Sequence, residues 1–337
     1  MTHLPPPPRD LPPGVHTALR ARVLDGTSDE ADVPQRRRWL LPLAAAAAVL
    51  VVMFGAIGLF RSDPSTPDPV ATARPVTAPT SFDPRFTRAT PGWLPDGVTV
   101  ETHAVSPTIE RLRTAGGEVL IELIPRDGRT DLDAALAGAY RPGPSINGKR
   151  SVWLPPHGAG DTAGWLGWEW APGAGAVILI QGVPDGERVA ARIAASLRPG
   201  EPKPLALPFT LTRPADLPLA FHSVAARKSG GYAAALEFEP GTGSVVHVGL
   251  EWLPERYAAK TYPPNGTIGG RDANTRVEGE DVVVWQRFGS DVAEVRCRKG
   301  KGAAIDVVRA ECQAVAASLR PAGENDDPST WSTEPLG

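Results

Sequence analysis

The chain's 337 residues leave room for two ordinary domains with accessory segments. A composition of 42% hydrophobic and 22% charged residues is globular on average, and a net charge of -3 excludes the basic face that a nucleic-acid binder normally carries. Proline (37) and glycine (35) are abundant, and the two cysteines, Cys297 and Cys312, both fall late.

Residues 1–38 read as a short cytoplasmic segment. Pro5 to Pro8 form polyproline-like chain, and Val15, Leu19 and Val23 recur at helical spacing, offering a small apolar face to a cytoplasmic protein partner or to the inner leaflet. Residues 39–60, WLLPLAAAAAVLVVMFGAIGLF, hold no charge. At about 1.5 Å per residue such a helix spans roughly 33 Å, against about 30 Å of hydrocarbon core. Arg36, Arg37 and Arg38 stand directly before it, so the positive-inside rule puts the N-terminus in the cytoplasm and everything after the span outside. A cleaved signal peptide is the alternative, served by small residues at Ala71-Thr72-Ala73, but its apolar stretch would be shorter and nearer the N-terminus. The sequence thus predicts a single-pass cell-membrane protein with a lipid bilayer as its first partner and its bulk extracytoplasmic.

Residues 61–84 are rich in Pro, Thr, Ser and Ala, which suits a semi-rigid spacer. Residues 322–337 read as a disordered acidic tail. Between them the chain repeats itself. Ala194-Ala195-Ser196-Leu197-Arg198-Pro199 recurs unchanged as Ala316-Ala317-Ser318-Leu319-Arg320-Pro321. GGEVLIELIP (116–125) answers to GSVVHVGLEW (243–252), Ile146-Asn147-Gly148-Lys149 to Ile268-Gly269-Gly270-Arg271, and WEWAPGAGAVILIQG (168–182) to WQRFGSDVAEVRCRKG (285–300). The boundaries drawn are 85–200 and 205–321.

Each copy begins with strands of alternating apolar residues, such as Val119, Ile121 and Leu123. A Pro/Gly-rich middle with a short helix at 131–139 follows, then a hairpin, then a closing helix. Val189, Ile193 and Leu197 line one face of the first closing helix, with Asp185 as its cap; Ile305, Val308, Cys312, Val315 and Leu319 line the second. The expected fold class is α+β: a single N-terminal transmembrane helix followed by two tandem antiparallel-sheet domains, each closed by a C-terminal helix.

Leu94-Pro95-Asp96-Gly97, Ile146-Asn147-Gly148-Lys149, Trp168 and Ala195-Ser196-Leu197 stand in an order that resembles the C-terminal extracytoplasmic (DUF4367-like) domains of bacterial membrane-anchored anti-sigma and sporulation-type proteins. The second copy departs at Leu217-Pro218, which lacks the following glycine. The resemblance implies a sensory or binding ectodomain and brings no catalytic residues. Proteins of that kind often carry a cytoplasmic zinc-binding His/Cys motif. Residues 1–38 have His3 and His16 but no cysteine, a departure from the pattern of sigma-factor control.

Three groups of residues are candidates for chemistry. Cys297 and Cys312, outside the cytoplasm, are expected to pair as a disulfide, with two packed free thiols as the alternative. Trp153, Trp165, Trp168 and Trp170 either fill a core or stack an extracytoplasmic ligand. Arg296, Arg298, Lys299 and Lys301 either meet anionic polymer or line a solvated turn. His103, His157, His222 and His247 show no short metal-ligand spacing, and no nucleophile elbow, phosphate loop or zinc-protease motif occurs. The sequence therefore reads as a non-enzymatic binding or sensory protein without a cofactor or metal, with an envelope scaffold binding wall polymer or lipid as the alternative.

Overall fold

Alternation along the chain sets the strands. Val119, Ile121 and Leu123 are at most 1% exposed, while the residues between them are half-buried. The computed structural model describes residues 77–128, 141–155, 163–214, 217–227, 230–239, 245–251, 261–288, 291–298, 300 and 302–337, all within one compact unit, 73–337.

The first half contains β1 (Phe86–Pro91), β2 (Val100–Ser106), β3 (Ile109–Thr114), β4 (Val119–Ile124), β5 (Arg141–Pro142), β6 (Ser151–Leu154), β7 (Ala163–Ala171) and β8 (Ala174–Gln181). Helix α1 (Gly186–Ser196) and β9 (Leu197–Pro204) complete it. The second half contains β10 (Phe209–Thr210), β11 (Leu219–Ala226), β12 (Tyr232–Phe238), β13 (Val245–Glu251), β14 (Gly266–Ile268), β15 (Arg271–Glu278), β16 (Asp281–Phe288) and β17 (Asp291–Arg298). Helix α2 (Ile305–Ser318) and β18 (Arg320–Pro321) follow.

Fourteen strands form one antiparallel sheet in the order β14-β15-β16-β17-β13-β12-β11-β2-β3-β4-β8-β7-β6-β5. Read outward from the β11–β2 seam, both halves run through equivalent strands in the same succession. The remaining strands pair as ribbons, β1 with β9 and β10 with β18. α1 packs on β7 and β8, and α2 on β16 and β17. Each half keeps its own core. One gathers Ile121, Leu166, Trp168, Ile178 and Ile193; the other gathers Leu236, Val248, Val284, Val295 and Val315.

The repeated hexapeptide is a device for ending a helix. Ser196 Oγ bonds the Ile193 carbonyl at 2.8 Å and accepts from Trp93 N, while Arg198 folds back onto the Ala195 carbonyl. Ser318 and Arg320 repeat this on Val315 and Ala317, with Thr212 N in the place of Trp93 N. Orphan carbonyls of the last turn are thereby satisfied. The Ile146–Lys149 and Ile268–Arg271 matches are tight turns. Asn147 and Gly148 have φ of 50° and 80°, and Gly269 and Gly270 have 57° and 78°, as a type I′ hairpin requires.

Several expectations are corrected. The fold is predominantly β, and the two antiparallel-sheet domains of the α+β reading are not separate, because β2 and β11 pair and fuse them into one sheet. Among the described residues no helix is long and apolar enough to cross a membrane. Residues 39–60 and Arg36, Arg37 and Arg38 lie outside the described residues, as do the cytoplasmic segment and the helix expected at 131–139. Single-pass anchoring and the extracytoplasmic placement built on it therefore have no membrane-spanning helix beneath them among the described residues.

Residues 322–337 are ordered where a disordered tail was expected. Trp331 is buried and edge-on to Tyr232, Leu207 pairs with Ser332, and Leu336 packs on the second core. Asn325 Nδ2 donates to the buried Asp291, which Arg227 also holds. The tail's two large apolar side chains outweigh its acidic composition. Asp185 stands at the N-cap of α1, as expected, but at φ 53° its side chain makes no capping hydrogen bond, and its carboxylate pairs with Arg188 instead.

Candidate functional site

The four tryptophans do not form one surface. Trp153 and Trp168 are 5% and 3% exposed, inside the first core. The Trp153 ring lies against Gly164, where an added Cβ would come within 2.6 Å of it. Trp170 packs at the core's margin and donates from Nε1 to the Ile124 carbonyl. Trp165 alone points to the opposite, outward face of β7, as period-2 alternation demands. Aromatic content drew attention to this strand, but packing explains three of the four residues.

The cysteines are likewise corrected. Cys297 and Cys312 are buried free thiols, not a disulfide. Cys312 Sγ donates toward the carbonyls of Val282 and Val295 at 3.4 Å each. By strand register, Cys297 stands where the first half has Ile180, so the thiol occupies an aliphatic core position. A hydrogen bond with Cys312, followed by burial, pushes the Cys297 thiol up, away from thiolate chemistry.

Of the basic run, Arg296 and Arg298 are held in ion pairs. Arg296 meets Glu278, Asp281 and Glu294, and Arg298 meets Asp281. These contacts hold the Asp281 carboxyl below its ordinary value against the opposing effect of burial. Lys299 and Lys301 lie outside the described residues, as does His157.

A buried cluster of titratable groups sits at the seam, and no spacing along the chain reveals it. β2 and β11 are joined by four residue pairs, His222–Val105, Ser223–Ala104, Val224–His103 and Ala225–Thr102. His103 pairs with Leu112 across one hairpin and His222 with Leu236 across the other. Leu112 and Leu236 in turn face Ile121 and Val248. The two histidines therefore occupy the same position of the duplicated fold, and a local two-fold relation passes between Ala104 and Ser223.

Glu110, fully buried on β3, reaches into this cluster. Its Oε1 accepts from Arg88 N at 2.7 Å, Ala89 N at 2.8 Å and His103 Nε2 at 2.7 Å. Arg88 lies at the register shift of β1, where the β1–β9 pairing is interrupted. The carboxylate thus serves N–H groups beside the bulge. Its Oε2 is buried without a hydrogen-bond partner among the described residues. The second half has Ala234 at the equivalent position, by the Val105–Glu110 and Val224–Ala234 pairings.

His222 is 1% exposed, and its Nδ1 faces the Pro84 carbonyl, which accepts only, so the neutral ring carries its proton there. Burial drives its pKa down to about 4, opposed in part by the Pro84 carbonyl and the Glu110 charge. No group of three or more metal-ligating side chains is arranged to hold an ion among the described residues. The cluster holds charge and protons at the joint between the halves. Compared with known proteins, the chain matches no family model and no curated sequence.

Proposed function

We propose that the protein is a non-catalytic binding protein whose partner lies on the outward face of the first half-sheet. The observation that carries this is the divergence of two equivalent rows of side chains. Across β3, β4, β8, β7 and β6 the outward row reads Arg113, Leu120, Leu179, Trp165, Leu154. Across β12, β13, β17, β16 and β15 the same positions read Glu237, His247, Arg296, Val283, Arg276.

The duplicated framework keeps its turns and helix ends, yet this one row is mostly apolar in the first half and mostly charged or polar in the second. Leu120, Leu179, Trp165 and Leu154 are half-buried, and the exposed Arg113 ends their row. Such a strip fits an apolar protein segment with an acidic residue at one end. The resemblance of the repeats to DUF4367-like domains, which brings no catalytic residues, supports the same reading.

Placing a photo-crosslinking residue at Leu179, and separately at its equivalent Arg296, in the full chain tests this in the native cell. Adducts of defined mass from position 179 but not 296, abolished by Trp165→Glu, are the expected result. Equal adducts from both positions, or none from 179, overturn it.

A further inference from the structure

The two cores are separate clusters of side chains, while the seam between them is four residue pairs long. The one strand pairing that joins the two half-sheets is therefore also where His222 and Glu110 are buried. We propose that the β2–β11 seam is an acid-labile joint, at which proton uptake by His222 parts the two half-sheets while each keeps its own core. This goes beyond the binding reading and needs no ligand.

The surroundings of His222 decide what an added proton meets. From the chain before β1 comes the Pro84 carbonyl, already engaged with Nδ1, beside the Asp83–Arg85 ion pair. From β2 comes His103, a second base that bears charge when protonated, and from β3 the Glu110 carboxylate, whose Oε1 already accepts three hydrogen bonds. From β12 come only apolar neighbours, Leu236 and Ala234, and the Arg88 side chain lies at the β1 margin. A cation formed on Nε2 therefore lacks water on the buried side, and the Glu110 charge offsets only part of that burial cost. Exposing the ring removes that penalty, and peeling β11 from β2 exposes it without opening either core.

Hydrogen exchange by mass spectrometry on the full chain, from pH 7 to pH 4.5 and corrected for intrinsic rates, tests the joint. The expected result is about a 10- to 100-fold loss of protection in peptides covering β2 and β11, with β8 and β17 still protected; about 100-fold is the ceiling for one proton taken up between pH 6.5 and 4.5. His222→Gln, which keeps a donor for Pro84 but does not titrate, should remove the loss. Unchanged protection at the seam, simultaneous loss in β8 and β17, or an equal loss in His222→Gln would each overturn the proposal. Should that variant not fold, His103→Gln decides: persistence of the acid-induced loss assigns it to His222, and its disappearance refutes that assignment.

Discussion

His103 and His222 stand at one position of a duplicated fold, yet only His222 is sealed from water. Its side chain is 1% exposed, whereas the His103 side chain is 24% exposed and bonded to Glu110. The first-half histidine has a carboxylate to answer it, and the second-half histidine has a carbonyl.

That difference fixes a pH dependence. The folded-state pKa of His222, about 4, lies below the ordinary value of 6.5, so the unfolded chain binds the proton first as pH falls. The contribution is fully present above pH 6.5 and is lost progressively toward pH 4. It amounts to about 3 kcal/mol, from roughly 1.4 kcal/mol per pKa unit. Urea midpoints measured at pH 7 and pH 4.5 should differ more for the native chain than for His222→Gln.

Glu110 should be intolerant of truncation. Glu110→Ala strips the acceptor from Arg88 N, Ala89 N and His103 at once and leaves a void, for a loss of about 3 kcal/mol in denaturant stability. Glu110→Gln keeps one carbonyl acceptor and should cost less. Equal effects would show that volume rather than hydrogen bonding matters at this position.

Both cysteines should titrate with an aromatic disulfide reagent after denaturation without reductant, and neither should react in the native protein. Denatured protein that yields no thiols until reduced would contradict the free-thiol structure.

Deleting residues 322–337 should lower stability by about 3–5 kcal/mol, since Trp331 leaves Tyr232, Leu336 leaves the second core and Leu207 loses its strand partner. Urea unfolding of the truncated chain checks this; an unchanged midpoint would mean that the tail packs without stabilising.

The duplication was legible in the sequence because its strongest signal, the hexapeptide ending each helix, binds backbone carbonyls and so resists change. The match of 146–149 with 268–271 was legible because both segments make turns that need positive φ, although their being turns was not read from the sequence. The register of the aromatic strands was not. Matching Trp168 to Trp285 is off by one residue: Trp168 pairs with Ala176 as Gln286 pairs with Ala293, so Gln286 is the true counterpart. On a strand one residue exchanges faces, so Trp168 lies in the core while Trp285 stacks on Tyr262 on the other side. Residue type misled where pairing geometry decides.

The pairing of β2 with β11 was illegible for a different reason. Alternation shows that a strand has two faces, but not what meets its edge. The seam cluster was hidden with it, because His103, Glu110 and His222 converge only once two distant strands are laid side by side. Cys312 and Trp153 drew attention as reactive or ligand-stacking groups, yet both fill volume, as Ala and Leu do elsewhere in the fold.

The seam joins like to like: β2 of one half lies antiparallel to its equivalent β11 of the other, about a local two-fold axis between Ala104 and Ser223. Such isologous contact is how identical subunits form a closed pair. The chain therefore reads as a homodimer made covalent. Once the subunits were tethered, each was freed to change its own exterior, which is how one outward row became apolar and its counterpart charged without either forfeiting its mate.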